Sequence, residues 1–242
     1  MIVEYSLCSN VGKVRKENQD TVFVSHNNAI YHKADFVEYS NTSENDSLLI
    51  FAVFDGMGGE QNGAEASYIA AFTVSELMKK QQKASLDNMC SVVNKVLCRY
   101  MEENGIKSMG TTAAMIKLEE DRVVACNIGD SSIFKMTDCQ MDELSVRHIM
   151  EVGSGSRVLT QHLGIPENEM QIEPYSVAVK LKENDVFLLC SDGVTDVLNN
   201  SELKKIVNEY SVKDLSKSIT ELAIEKGSKD NISVIVLKIV KE

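Results

Sequence analysis

The sequence has 242 residues, of which 43% are hydrophobic and 25% charged, and these values exclude a disordered or fibrous chain. The length is typical of one large domain, because single domains extend to about 250 residues. Acidic residues number 36 and basic residues 25, and the resulting net charge of −11 repels nucleic acid and anionic membranes. We therefore expect neither nucleic acid nor a membrane as a partner.

The cysteines and the N-terminal segment indicate a cytoplasmic protein. The six cysteines form no CxxC pair, so we expect buried thiols in a reducing compartment rather than zinc ligands or a redox pair. Residues 1–6 lack the basic start and apolar stretch of a signal peptide. No run approaches the roughly 18 apolar residues that a membrane span needs.

Short apolar or alternating runs predict nine β-strands. The strands are expected at residues 1–8, 21–24, 48–54, 111–118, 122–128, 132–136, 177–181, 186–190 and 232–237. The charged turn at 119–121 indicates a hairpin between the two strands that flank it. The polar segment 25–47 is longer than an ordinary loop, and we expect a hairpin with an extended connection there.

Apolar residues at helical spacing predict two pairs of helices, and Ser201 is expected to be the N-cap of the third helix. The helices are expected over residues 64–81, 86–105, 201–210 and 212–227. Strands and helices come in separate runs, which favours an α+β fold with antiparallel sheets over a parallel βαβ fold. Because no linker or internal repeat divides the chain, we predict a single domain over residues 1–242.

Four aspartates stand next to strand ends, each with a glycine or an amide residue beside it. They are Asp20 after Asn18-Gln19, Asp55 before Gly56, Asp192 before Gly193 and Asp230 before Asn231, with Asp130 and Asp196 close to this set. Several carboxylates brought together resist ionisation unless a cation compensates their charge. Hard oxygen ligands suit magnesium or manganese, whereas zinc would be expected with histidine or thiolate. Two such ions about 3.5 to 4 Å apart are a known arrangement for phosphate chemistry.

The turn after the most apolar strand and one arginine add to this pattern. Asp55 is followed by three glycines within four positions, and glycine lets the backbone approach a ligand closely. Arg15, five residues before Asp20, offers a planar fork that binds phosphate bidentately. From spacing alone, a phosphate ligand and an ordinary surface arginine are equally supported interpretations of Arg15.

Six motifs in order resemble those of the metal-dependent protein phosphatases, the protein phosphatase 2C family, and the methionine after Asp55-Gly56 resembles its bacterial branch. The motifs cover residues 12 to 236 and are Arg15-x-x-Asn18-Gln19-Asp20, Asp55-Gly56-Met57-Gly58-Gly59, Gly110-Thr111-Thr112, Gly129-Asp130-Ser131, Ser191-Asp192-Gly193 and Asp230-Asn231. The resemblance implies a four-layer αββα sandwich of two antiparallel β-sheets flanked by helices. It implies a signalling hydrolase that removes phosphate from phosphoserine and phosphothreonine by attack of a water bridging two Mn²⁺ or Mg²⁺ ions.

The resemblance also implies roles for individual residues. Asp55 would bridge the two ions, and the Gly56 carbonyl would bind one of them. Asp192 and Asp230 would hold the other ion, and Asp20 would act mainly through water.

Two further roles follow from the same resemblance. Asp130, with Asp192 and Asp196, would match a weaker third-ion site. Arg15 would bind the substrate phosphate, so Arg15, Asp55, Asp192 and Asp230 are the residues expected to carry catalysis.

Three departures from the family pattern bear on mechanism. Gln19 stands where many members have glutamate, which reduces charge near one metal without removing a direct ligand. Met57 stands where animal members have a histidine proposed as general acid, which leaves protonation of the leaving group to water. The flap-like segment near 142–164 is shorter than in typical members.

Other enzyme classes lack support. The sequence contains neither the HCxxxxxR of cysteine-dependent phosphatases nor a P-loop, and the element order disfavours a haloacid-dehalogenase fold. The alternative from another class is a catalytically weak sensor or scaffold that binds phosphoproteins on the same fold. We expect the protein to be a monomer. Its expected partners are phosphorylated proteins and, by analogy, a cognate serine/threonine kinase.

Overall fold

The computed structural model describes residues 1–33, 35–43, 49–57, 62–80, 84–138, 140–153 and 156–241. The strands in these ranges are β1 (Ile2–Asn10), β2 (Asp20–Val24), β3 (Ala29–His32), β4 (Phe36–Ser43), β5 (Leu49–Met57), β6 (Gly110–Thr111), β7 (Ala113–Leu118), β8 (Arg122–Ile128), β9 (Ser132–Thr137), β10 (Gln140–Glu143), β11 (Ile149–Val152), β12 (Ser156–Leu159), β13 (Tyr175–Lys180), β14 (Val186–Cys190) and β15 (Ile232–Lys241). The helices are α1 (Asn62–Lys79), α2 (Leu86–Asn104), α3 (Asp192–Thr195), α4 (Asn200–Glu209) and α5 (Val212–Glu225).

Two large antiparallel sheets organise the fold. The first sheet has the strand order β10-β9-β14-β15-β1-β4, and the second has the order β13-β8-β7-β5-β2-β3, with β6 paired to β5. A separate hairpin consists of β11 and β12. No helix among the described residues is long and apolar enough to cross a membrane.

The two sheets pack face to face, with helices on both outer surfaces. Tyr5 of the first sheet and Phe51 of the second meet edge to face in the shared core, with ring centroids 5.1 Å apart. A second apolar cluster joins the outer face of the second sheet to α1 and α2, and a third joins the first sheet to α3, α4 and α5. The predicted four-layer αββα sandwich is confirmed.

Strand β5 is buried on both faces from Leu49 to Phe54, and this burial explains why its sequence is apolar at every position of that stretch. Phe51 and Val53 point into the core between the sheets, whereas Ala52 and Phe54 pack under α1 and α2. Side chains alternate between the two faces of a strand, so a strand buried on both faces requires apolar residues at every position. This strand delivers Asp55 to the end of the sheet.

The predicted helices are present, and one predicted cap is wrong. α2 ends as expected, because Gly105 adopts a left-handed conformation with a φ of 64° and its N–H donates to the last turn. The N-cap of α4 is Asn199 rather than Ser201. The Asn199 side chain accepts the N–H groups of Ser201 and Glu202, and the Glu202 carboxylate accepts the Asn199 N–H in return.

The weakly patterned segments contain elements that periodicity did not predict. Among the described residues of segment 25–47, β3 pairs with the preceding β2 in the expected hairpin, whereas β4 pairs with β1 in the other sheet. Residues 140–159 contain three short strands, and α3 begins directly after β14. Some predicted positions lie outside the described residues, namely 44–48, 58–59, 81, 139 and 154–155.

Candidate metal centre

Aspartates from five places in the chain gather at one end of the sandwich. In the register of β2 and β5, Asp20 lies directly opposite Asp55. Asp192 is the first residue of α3, immediately after β14, and Asp230 precedes β15. Asp130 follows Gly129, whose φ of 98° favours glycine at the turn after β8. The end of one sheet thus lies next to the end of the other.

Four of these aspartates line a cleft with a volume of ≈ 1050 Å³. Of the predicted site residues, those that line the cleft are Arg15, Asp55, Gly56, Asp130, Asp192 and Asp230. Asp20 does not line the cleft and is 2% exposed. The Ser191 hydroxyl donates to Asp20 Oδ2 at 2.9 Å, which orients this buried carboxylate.

Burial and mutual repulsion disfavour the charged form of the Asp20, Asp55 and Asp192 carboxyl groups. Burial raises the pKa of Asp20 to about 6. Burial, followed by the nearby Asp130, raises the pKa of Asp192 to about 8. The pKa of Asp55 is also well above its usual range, because the group is buried and faces Asp20. A cation in the cleft would relieve this cost.

The donor chemistry fits divalent Mg²⁺ or Mn²⁺. Asp20 Oδ1 and Asp192 Oδ1 are buried and have no hydrogen-bond partner in the part of the chain that the structure describes. Buried carboxylate oxygens without donors are expensive unless an ion coordinates them. Within the described ranges, no three histidine, cysteine, aspartate or glutamate side chains meet the geometry of a closed metal site, so the fit rests on donor chemistry and the two unpaired oxygens.

Arg15 lies at the mouth of the cleft in a two-point ion pair. Its Nε donates to Asp230 Oδ1 at 2.8 Å and its Nη2 donates to Asp230 Oδ2 at 2.6 Å. The hydrogen bonds to Asp230 raise the pKa of the Arg15 guanidinium. The side chain of Arg15 is 52% exposed, so part of the guanidinium faces solvent at the cleft.

Asp196 lies beside the β11–β12 hairpin, outside the cleft lining. It accepts a 2.8 Å hydrogen bond from Nη2 of Arg157, which belongs to the β11–β12 hairpin. Asp196 does not line the cleft, whereas Leu159 of the same hairpin does. The segment predicted as a short flap therefore reaches both the cleft wall and Asp196.

Two threonines that had no assigned role hold the Asp55 turn. The Thr111 hydroxyl donates to the Asp55 carbonyl at 2.9 Å, and the Thr112 N–H donates to the same oxygen at 2.8 Å. The Thr112 hydroxyl accepts the Asp55 N–H at 3.2 Å and lies 2.7 Å from the Ser131 hydroxyl. Ser131 directly follows Asp130. The sequence signals for this network were the Gly110-Thr111-Thr112 and Gly129-Asp130-Ser131 motifs, which gave no role to the hydroxyl groups.

Asn231 joins two turns that are distant in sequence. Its side-chain amide donates to the carbonyls of Val11 and Glu17 at 2.9 and 3.1 Å, and its oxygen accepts the Gln19 N–H at 2.9 Å. A Cβ on Gly12 would lie 2.5 Å from the Asp230 carbonyl oxygen. This close approach explains the glycine and keeps Arg15 beside Asp230.

Glycines at the two turns below the cleft have a similar steric origin. A Cβ on Gly56 would lie 2.0 Å from the Gly63 carbonyl oxygen at the start of α1. A Cβ on Gly193 would lie 2.1 Å from the Asn231 carbonyl oxygen. Close backbone packing therefore limits both positions to glycine. Met57 lines the cleft beside Gly56.

Comparison with known proteins agrees with the sandwich and its acidic cleft. The family model described as protein phosphatase 2C matches residues 24–230. The serine/threonine phosphatase stp of Listeria innocua is 27% identical over 80% of this chain and 85% of its own length. The fold is similar to the serine/threonine phosphatase PstP/Ppp of Mycobacterium tuberculosis, with a TM-score of 0.80, 21% identity and full coverage of both chains. It is also similar to the catalytic domain of PstP in complex with two manganese ions, with a TM-score of 0.78, 22% identity and full coverage of both chains.

The fold and the family match define the class of this protein as a protein phosphatase. The chain belongs to the protein phosphatase 2C family. The family and enzyme class that the sequence motifs indicated are confirmed. The roles of the individual site residues stay predictions.

Proposed function

We propose that this protein is a metal-dependent phosphatase that hydrolyses phosphoserine and phosphothreonine monoesters in proteins. The observation that carries the proposal is the convergence of aspartates from both sheets on one cleft, with an arginine at its mouth. The serine/threonine phosphatases among its relatives support this substrate class. We propose one phosphatase domain over residues 1–242, with a short flap-like segment near 142–164.

The proposed cofactor is two Mn²⁺ or Mg²⁺ ions, with a third ion at a weaker site. Two bound ions would supply a water of lowered pKa and neutralise charge that develops on the phosphate. Asp55 and the Gly56 carbonyl would hold one ion, Asp55 would share the second with Asp192 and Asp230, and Asp20 would act through water. The third site would use Asp130, Asp192 and Asp196.

In the proposed reaction Arg15 binds the phosphate of the substrate. An arginine has five N–H donors, and Asp230 uses two of those of Arg15. Asp230 thus orients the guanidinium while donors remain for phosphate oxygens. Met57 carries no ionisable proton, so the leaving serine or threonine oxygen receives its proton from water rather than from this side chain.

In the proposed physiological role, the protein removes phosphate from phosphorylated proteins in the cytoplasm and so takes part in signalling. The substrates would be phosphorylated proteins, and a serine/threonine kinase would supply them. We propose a monomer. Five free cysteines in the described residues, at 8, 90, 98, 126 and 190, are consistent with a reducing compartment.

Hydrolysis of p-nitrophenyl phosphate with Mn²⁺, in the presence and absence of a chelator, tests the proposal. Turnover that needs Mn²⁺ and stops with the chelator is the expected result. Absence of turnover, together with retained binding of a phosphopeptide, would favour the sensor or scaffold instead. Turnover that persists in the chelator would exclude a metal-dependent mechanism.

A further inference from the structure

The wall of the cleft carries two lysines that the proposed reaction does not use. Lys16 directly follows Arg15, and Lys229 directly precedes Asp230; both are exposed and line the cleft. Within the described ranges neither ammonium group forms an ion pair, in contrast to Lys33, which binds the neighbouring Glu17 at 3.0 Å. Two cations are therefore available for a ligand at this wall.

The backbones that carry the two lysines are held to each other. Asn231, two residues after Lys229, bonds to the carbonyl of Glu17 and to the N–H of Gln19. The ion pair of Arg15 with Asp230 links the residues next to each lysine. The backbone positions of both lysines relative to the phosphate-binding arginine are therefore set before a substrate binds, so binding has to order only the lysine side chains.

Lys16 and Lys229 add two positive charges to a stretch of the cleft lining whose acidic residues, Glu17 and Asp230, already have cationic partners in Lys33 and Arg15. The net charge of −11 disfavours the approach of acidic peptides, and four aspartates line the same cleft. Arg15 is proposed to bind the phosphate that is hydrolysed. The two lysines beside it therefore need a different anionic partner. A substrate with a second anion beside the phosphoester would match them.

We propose that Lys16 and Lys229 select phosphoprotein segments that carry a second negative charge next to the hydrolysed phosphoester. This inference rests on the proposed phosphatase function. The second charge is a carboxylate or another phosphate, since a lysine ammonium binds either anion as a point charge.

Three phosphothreonine peptides of one sequence test the selection. Their flanking positions carry alanine, aspartate, or a non-hydrolysable phosphonate in place of a second phosphate. The wild-type protein is expected to show a higher kcat/KM for the aspartate and phosphonate peptides than for the alanine peptide, with the difference mainly in KM. The preference is expected to shrink between about 0.05 and 0.5 M salt, because exposed charges are screened. A preference for only one of the two anionic peptides identifies the source of the charge.

Charge reversal assigns the preference to the two lysines. Each of Lys16→Glu and Lys229→Glu is expected to reduce the ratio of anionic-peptide to alanine-peptide kcat/KM by about 2- to 5-fold. Lys213→Glu makes the same change in net charge in the first turn of α5, away from the cleft lining, and is expected to leave the ratio unchanged. Lys16→Arg keeps the charge and is expected to keep the preference.

Direct binding and a small substrate separate the possible failures. Anisotropy of a labelled peptide with phosphonate at both positions reports affinity without turnover, and the Lys16→Glu/Lys229→Glu protein is expected to bind it more weakly. If the ratio of anionic-peptide to alanine-peptide kcat/KM is the same in the wild type and the double variant, and both still hydrolyse p-nitrophenyl phosphate, the proposed selection is overturned. The proposed phosphatase function then still stands. Absence of hydrolysis of p-nitrophenyl phosphate would instead overturn the proposed function.

Discussion

Thr112 holds the backbone of Asp55 through two hydrogen bonds, with its N–H donating to the Asp55 carbonyl at 2.8 Å and its hydroxyl accepting the Asp55 N–H at 3.2 Å. The same hydroxyl contacts Ser131 at 2.7 Å, and both hydroxyl groups are buried. The Thr112 side chain therefore links the strand end that presents Asp55 to the turn that presents Asp130. The positions of two predicted ligands depend on each other through one hydroxyl.

Replacing Thr112 by valine keeps the shape of the side chain and removes that hydroxyl. We expect the free energy of unfolding to fall by about 1 to 3 kcal/mol, because the partly buried Asp55 N–H loses the buried Thr112 hydroxyl as its acceptor. Calorimetric titration is expected to show weaker Mn²⁺ binding as well. Thr112→Ser keeps the hydroxyl and serves as the control. Unchanged stability and Mn²⁺ affinity in Thr112→Val would show that the network does not position Asp55.

Removing the Arg15 side chain is expected to affect catalysis more than stability. The Arg15–Asp230 pair is partly exposed, so Arg15→Ala should lower the free energy of unfolding by less than about 1 kcal/mol. The kcat/KM for phosphopeptides should fall by about 30-fold or more, because a charged partner of the phosphate is lost. Arg15→Lys should not restore it, since lysine lacks the two-point fork. Steady-state kinetics check this, with the exposed Lys13→Ala as control.

Two glycines with left-handed backbones allow the cost of backbone strain in a Gly→Ala variant to be separated from the cost of a steric clash. Gly12 and Gly227 have φ values of 78° and 89°. A Cβ on Gly12 would lie 2.5 Å from the Asp230 carbonyl oxygen, whereas a Cβ on Gly227 would meet no atom of the described residues within 4 Å. Gly227→Ala is expected to cost about 1 to 2 kcal/mol from conformation alone. Gly12→Ala is expected to cost about 3 kcal/mol or more, because the new Cβ also displaces Asp230.

Urea denaturation of both glycine variants, together with phosphatase kinetics, tests this expectation. Only Gly12→Ala should lower kcat/KM, since Asp230 belongs to the candidate site. Equal stabilities and equal kinetics of the two variants would contradict the inferred contact between the Gly12 and Asp230 turns.

The Asn94 side chain supports the site from a distance. Its oxygen accepts the N–H groups of Gly164 and Ile165 at 2.7 and 3.0 Å, and its amide donates to the Ile165 carbonyl at 2.8 Å. The adjacent Leu163 pairs with Thr111 through backbone hydrogen bonds in both directions. Asn94 therefore fixes the segment that packs against the threonine pair.

Replacing Asn94 by alanine is expected to lower the free energy of unfolding by about 2 to 4 kcal/mol, because three buried backbone groups lose their partners. Ser91→Ala, at an exposed position one turn earlier on α2, is the matched control and should change stability little. Chemical denaturation of both variants checks the difference. Equal stability of the two variants would refute the structural role of Asn94.

Much of the architecture was predictable because each signal was local. The apolar run before Asp55 indicated a strand buried on both faces, and the aspartates at strand ends indicated where a site forms. The predicted N-cap of α4 was wrong because Ser201 and Asn199 are both good N-cap residues. The Glu202 side chain decides between them, since it completes a capping box with Asn199. The short strands in 140–159 gave little periodicity because their side chains are largely exposed.

The contacts that shape the site were not predictable, because they join residues that are remote in sequence. Arg15 and Asp230 are 215 positions apart and meet only because β1 and β15 pair side by side. The bonds of Asn231 to the loop before β2 have the same origin. Spacing could identify Arg15 as a candidate phosphate ligand, but it could not show that a carboxylate orients it.

The most direct test of the central claim compares Asp55→Asn with the wild type in release of phosphate from a phosphothreonine peptide with Mn²⁺. Asp121→Asn, the same change at an exposed turn between β7 and β8, is the control. We predict that the wild type and Asp121→Asn release phosphate with Mn²⁺ and release none when a chelator removes the metal. Asp55→Asn should retain its fold and lose about 100-fold or more in rate, because even residues that merely support metal ligands contribute 10- to 100-fold. Phosphate release by Asp55→Asn at the wild-type rate would contradict the account.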